Sequence, residues 1–310
     1  MMNNKLILTA AVLAFCPILH AEVPPAAPAA SAVPSVTALV SAPVTLRYKF
    51  AAGQVRRYSY DMDTNINMLT GQSGASIPII MTMQMTTSQT VRSVRPADGA
   101  ATLSTKIESM HMLQNGKDVA LPAEAQAKMS QPFIQVMLPT GKILSMEIPG
   151  MASMNAPGME LSKIMLTGTP LLPNGPVKIG DQWTGAVEAA VAGAQSYFAA
   201  TLTGVDHKNG ATLATIESKT TGTIDKSLSA GMPAMMKISG TVSGTATQVF
   251  DTAAGAVQSA TGTNDTDMTV DFGKSANGAP APAGMPSEVK TQMQMKFTMV
   301  RIADTAPPAR

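Results

Sequence analysis

Met81-Thr82-Met83-Gln84-Met85 places a methionine at every second position, and on an extended chain that spacing puts three thioether sulfurs on one face. Soft thioethers select copper(I), so the triplet is where metal chemistry would begin. Met151-Ala152-Ser153-Met154 adds a pair at helical spacing, and His111 stands between Met110 and Met112 as an imidazole neighbour. Against a metal site stands the sheer number: the 310-residue chain carries 24 methionines, spread over several segments where Leu, Ile and Phe would usually fill a core. Methionine is a flexible, polarisable filler of apolar faces, and it also lines surfaces that accept ligands of varied shape. The dispersal fits filling or lining better than coordination.

Other chemistries fail on spacing. Asp61-Met62-Asp63-Thr64-Asn65 opens like a calcium loop, but Ile66 stands where glycine must turn the chain and Gln72 where a bidentate Glu must close it. Asn264-Asp265-Thr266-Asp267 is incomplete in the same way, and on strands both would form a solvated face. Three histidines far apart and a single cysteine leave no zinc set. Ser287-Glu288-Val289-Lys290 matches Ser-x-x-Lys, but it runs into a strand where that pattern needs a helix start, and no Gly-x-Ser-x-Gly elbow is present. Neither a Walker A loop nor a dinucleotide fingerprint occurs. The sequence therefore predicts a non-enzymatic protein with no catalytic residue, no cofactor and no metal ligand set.

The segments that must position these residues read as strands. In Tyr58, Tyr60, Met62, Thr64, Ile66 and Met68 the larger groups recur at every second position, with Ser59, Asp61, Asp63, Asn65 and Asn67 between them. That alternation is the pattern of a long half-buried strand. Met293, Met295, Phe297 and Met299 alternate with Gln292, Gln294, Lys296 and Thr298 in the same way, and 212–218 and 237–250 read as further strands. Turn signals separate them at Pro96-Ala97-Asp98-Gly99, Pro139-Thr140-Gly141, Lys208-Asn209-Gly210 and Ala253-Ala254-Gly255. Short helices are expected at 122–129, at 229–236 and at 151–167, the last interrupted by Pro157-Gly158.

Residues 1–21 read as a secretory signal: Lys5 supplies the positive start, 6–19 the apolar run, and Leu19-His20-Ala21 a cleavage site after Ala21. The run is short and broken by Pro17, and no later stretch reaches the roughly 18 unbroken apolar residues of a membrane helix. A periplasmic or secreted protein without a permanent transmembrane segment is expected. Cys16 falls in the removed segment, so the mature chain has no thiol for a disulfide or a metal. Leu13-Ala14-Phe15-Cys16 approaches a lipobox, but Phe15 fills the place of a small residue, which argues against a lipid anchor on Cys16. Net charge is only +2, with no basic cluster and few aromatics to stack on bases, so nucleic acid is not an expected partner.

The chain also repeats itself. Gly99-Ala100-Ala101-Thr102-Leu103, continuing to Glu108-Ser109, returns one residue shorter as Gly210-Ala211-Thr212-Leu213, continuing to Glu217-Ser218. The stretch 135–145, which holds Pro139-Thr140-Gly141, is answered by 248–259, which holds Ala253-Ala254-Gly255. Gly180-Asp181-Gln182-Trp183 opens the second stretch much as Gly53 to Tyr58 opens the first. Two echoes in the same order argue for a duplicated unit. The expected organisation is a signal (1–21), a Pro/Ala-rich linker (22–44), a β-rich unit (45–168), a linker (169–177), a second β-rich unit (178–303) and a tail (304–310).

With its Gly-x-x-aromatic openings, Gly-Ala-Thr-Leu strands and strand-turn-strand units around Gly141 and Gly255, the chain resembles bacterial secreted proteins of the domain-of-unknown-function kind over about residues 45–303. In architecture alone it looks like the half-barrel of periplasmic lipoprotein and lipid carriers, and that likeness implies an apolar concave face. The expected fold is mainly β, two related curved antiparallel sheet units with a few short helices. The expected function is binding of a lipid, acyl chain or hydrophobic peptide on a methionine face formed by Tyr60, Met62, Met81, Met83, Met85, Met293, Met295 and Met299. The alternatives are an envelope scaffold with a closed core and a protein partner, or a periplasmic copper(I) protein.

Overall fold

A computed structural model of the chain describes residues 42–70, 75–120, 127, 130–147, 170–188, 195–208, 210–228, 236–272 and 288–302. The alternating segments are strands, several of them long: β1 (Val55–Thr70), β2 (Ala75–Val94), β3 (Ala101–Gln114), β4 (Lys117–Asp118), β5 (Phe133–Met137) and β6 (Ile143–Glu147). They are followed by β7 (Gln182–Glu188), β8 (Gln195–Lys208), β9 (Ala211–Leu228), β10 (Met236–Asp251), β11 (Ala256–Phe272) and β12 (Glu288–Ile302). Thr, Val, Ile and Met at every second position suit a pleated sheet with one covered and one solvated face.

All twelve strands belong to one antiparallel sheet in the order β6-β5-β3-β2-β1-β12-β11-β10-β9-β8-β7, with β4 pairing β3 beside that path. β6 and β7 are its two edges, so the sheet is not closed. Read in that direction, β6-β5-β3-β2-β1 and β11-β10-β9-β8-β7 follow the chain in the same sense, and β12 lies between β1 and β11. The left-handed glycines stand at corresponding places in the two runs: Gly53 and Gly180 before β1 and β7, Gly99 and Gly210 before β3 and β9, Gly141 and Gly255 between β5 and β6 and between β10 and β11. The backbone bonds match too. Gly53 N donates to Val91 O and Val91 N to Gln54 O, as Gly180 N does to Leu202 O and Leu202 N to Asp181 O.

The sheet must curl. Met137 of β5 and Phe198 of β8 lie eight strand intervals apart, about 38 Å on a flat sheet, yet both belong to one buried cluster. That cluster also holds Leu103, Ile216, Phe250 and, from outside the strands, Leu46, Tyr48, Leu172 and Val177. The segments 44–50 and 170–177 therefore fill the inside of one end of the curl. They join each other through a bridge between Val44 and Val177, with N–H···O distances of 2.8 and 2.9 Å. Arg56, also buried, donates to the carbonyls of Lys49 and Ala254 and lies 5.6 Å from the centre of the Phe50 ring. Within the expected linker 169–177, Leu172, Pro173 and Val177 are buried while 174–176 are exposed, and the Trp183 Nε1–H donates to Leu171 O at 2.8 Å.

The helices expected at 122–129, 151–167 and 229–236 lie outside the described residues, apart from Ala127, which is helical, and Met236, which begins β10. The signal, most of the first linker and the tail at 304–310 also lie outside them.

Candidate functional site

Residues paired across antiparallel strands point to the same side, so the register sorts the inner face into rungs. Met85, Tyr60 and Met299 share one rung of β2-β1-β12, and Met83, Met62 and Phe297 share the next. Then come Met81, Thr64 and Met295, followed by Ile79, Ile66 and Met293. All eight residues expected to line a binding face therefore lie together on three neighbouring strands, and β3 extends the face with Met110 and Met112 opposite Met85 and Met83. Met81, Met83, Met293 and Met295 are buried, while Tyr60, Met62, Met85 and Met299 are half-buried. Burial and the neighbouring Tyr58, whose ring centre lies 6.5 Å away, push the Tyr60 hydroxyl well above the ordinary phenol value.

Followed into the other half, the rung through Met81 changes character. It continues through Thr64, Met295, Asn264, Gly244 and Thr220 to Phe198. Asn264 is 1% exposed, Thr64 2% and Thr220 5%. Both amide atoms of Asn264 and the hydroxyl oxygens of Thr64 and Thr220 find no hydrogen-bond partner among the described residues. The Gln248 Oε1, one rung beyond the Phe297 rung, is in the same state. Gly222, Gly244 and Gly262 occupy successive rungs on β9, β10 and β11, so a diagonal without side chains crosses this half. The Phe297 ring roofs one end of it: a Cβ on Gly262 would meet a ring carbon at 2.6 Å. On the four rungs from Tyr60 to Ile66 no inward position of any strand is charged.

Sequence reasoning placed Asn264 with Asp265 and Asp267 in an incomplete calcium loop. Asp265 and Asp267 are exposed on the outer face, whereas Asn264 shares the inward parity of Gly262, Met268 and Val270. That parity was the available signal. Asp61 and Asp63 are likewise exposed, and Thr82 Oγ1 donates to Asp63 at 2.9 Å. His111 turns away from its methionine neighbours: it is on the outer face, exposed, with Nε2 2.6 Å from Asp118. A mixed methionine–histidine ligand set is therefore not assembled. Among the described residues no three His, Cys, Asp or Glu side chains gather as a metal site. Met151, Met154 and Ser287 lie outside the described residues.

These features define a curled, open antiparallel β-sheet whose inner face is methionine-rich and, on the rungs from Tyr60 to Ile66, uncharged. No family model and no curated protein matches the chain. Among solved structures it is similar to lipovitellin, in a structure describing lipid–protein interactions, at 12% identity and TM-score 0.45 over 84% of this chain and 26% of that one. It is similar also to a DUF1329 family protein from Desulfovibrio piger (10% identity, TM-score 0.14, 80% of this chain and 87% of that). A LolA superfamily protein from Nitrosomonas europaea is a further match (8% identity, TM-score 0.14, 81% and 88%). No helix among the described residues is long and apolar enough to cross a membrane.

Proposed function

We propose that the chain is a non-enzymatic, exported cell-envelope protein that binds an apolar ligand on the inner face of its sheet. The observation that carries this reading is the continuous uncharged surface of methionine and isoleucine across β3, β2, β1 and β12, held on the covered side of a sheet that remains open at β6 and β7. Such a surface must be covered, and a lipid, acyl chain or hydrophobic peptide is an apolar chemistry that covers it. Unbranched thioether side chains let one surface fit ligands of different shape. The equal sense of the two strand runs supports a duplicated scaffold, 45–168 and 178–303, with the methionine half differing from its counterpart.

The test is native-state binding of a neutral dye, N-phenyl-1-naphthylamine, by delipidated protein. Saturable fluorescence enhancement at micromolar protein is expected, and no enhancement below the unfolding midpoint would sink the reading. The burial of Met81 and Met295 favours a second reading, a scaffold whose core is already closed. That alternative predicts no dye binding and recovery of a specific envelope protein on cross-linking.

A further inference from the structure

The inner face has two chemistries on one surface, and their junction is specific. On the methionine side the sulfurs and aliphatic carbons need no partner. One rung that crosses the junction carries four buried polar atoms that have none among the described residues: one belongs to Thr64 on β1, between Met81 and Met295, and three to Asn264 and Thr220 on β11 and β9. More than nine in ten buried polar groups in folded proteins are satisfied, and each one left unmade costs about 1–3 kcal/mol. A core selected only for packing would hold hydrocarbon at these positions.

We infer that the ligand carries a neutral acyl carbonyl, an ester or amide, on its apolar chain, and that Asn264 recognises that group, with Thr64 and Thr220 two strands away on either side along the same rung. The inference rests on the apolar-ligand reading and narrows it. Asn264 offers two donors and an acceptor, so it can donate to an ester or amide carbonyl and accept from an amide N–H. Gly244, which has no side chain, separates Asn264 from Thr220, and the two lie two strands or about 10 Å apart. Charge settles the class. With no charged inward position on these four rungs, a buried carboxylate or phosphate would be uncompensated, whereas a neutral carbonyl meets its donors.

The experiment uses the full chain, delipidated and loaded with N-phenyl-1-naphthylamine, and measures displacement by methyl laurate, N-methyl lauramide and laurate at pH 8. A capped Leu-Val-Leu-Val peptide serves as the peptide arm. The ester and the amide are expected to displace the dye at concentrations about tenfold below laurate and below the peptide. Asn264→Leu is expected to erase that preference while the dye affinity stays within about twofold; the substitution removes the stranded amide for a side chain of similar size, so the fold is retained. Should that variant fail to fold, Thr64→Val, isosteric and lacking the hydroxyl, is expected to weaken the ester about threefold. Dye binding with no preference for ester over laurate, or a peptide that competes equally, would overturn the inference and leave the apolar-ligand reading standing. A preference that survives both substitutions overturns it as well, because water then satisfies the rung. Absence of dye binding removes both readings.

Discussion

The Lys49 N–H donates to the Gly255 carbonyl at 3.0 Å, joining the segment that precedes β1 to the turn between β10 and β11. Its neighbour Tyr48 donates to Pro139 O at 2.8 Å, in the turn between β5 and β6. Two adjacent residues thus hold the two turns that echo each other in sequence, one from each half. Tyr48 also sets its ring edge-on to Phe250, 5.4 Å between centres, and stacks with Phe50.

Gly255 is therefore a joint as well as a turn. Its φ is +58°, and a Cβ there would lie 2.4 Å from Lys49 N, so Gly255→Ala meets both backbone strain and a collision with backbone. A loss of about 3 kcal/mol or more is expected in urea unfolding. Gly210→Ala, with φ +77° but open space around it, is expected to cost only about 1 kcal/mol.

Met83→Leu and Met85→Leu are predicted to be mild, each below about 1.5 kcal/mol, because both are volume-conserving swaps on an apolar face. Copper(I) affinity, read by competition with a chromogenic chelator, is expected to be weak and unchanged in both variants. A tight site weakened by either swap would favour the metal reading instead.

Trp183 is the chain's single tryptophan and its indole N–H is held by the Leu171 carbonyl. Its emission is expected to be blue-shifted in the native state and to report docking of 170–177. Trp183→Phe is expected to cost about 1–3 kcal/mol by circular dichroism, since the bond is lost and a half-buried volume is left short.

Asp98 accepts from the Arg95 guanidinium at 2.5 and 2.8 Å and from Ala100 N at 3.1 Å, which holds its carboxyl down at about 2. A folded value below the unfolded one of about 3.9 means the contribution is complete above about pH 4 and is lost as pH falls toward 2. The pair is exposed, so solvent screening keeps the effect small. Melting temperatures of wild type and Asp98→Asn are expected to differ slightly at pH 6 and to converge near pH 2. Carbon-detected titration of Asp98 should give the low midpoint directly.

How much of this was written in the sequence depends on distance along the chain. The parity of β1, β2 and β12 was legible residue by residue, because alternation is a local consequence of the pleat, and within each strand it set the methionine-face residues on one side. That β1 and β12 are partners was not legible: pairing between the first and last strands depends on where the intervening ten fit, which no local pattern encodes. Tyr48 illustrates the same gap. It falls at the start of the stretch expected to be β-rich, yet it lies before β1, and with Leu46 it belongs to the buried cluster inside the curl. Asn264 was missed for a different reason, since two flanking aspartates suggested a motif and masked its inward parity.

The pairing of β1 with β12, from Arg57 beside Ile302 to Thr70 beside Val289, has a consequence for how the molecule is made. The middle of the sheet is supplied by β12, the last of the described strands in chain order. Without those residues β1 and β11 each present a bare edge and the methionine face lacks Met293, Met295 and Met299. A truncated chain lacking β12 is thus two separate open sheets with four edges. Joining the two runs therefore depends on a contact far apart in sequence, the kind of contact that forms slowly.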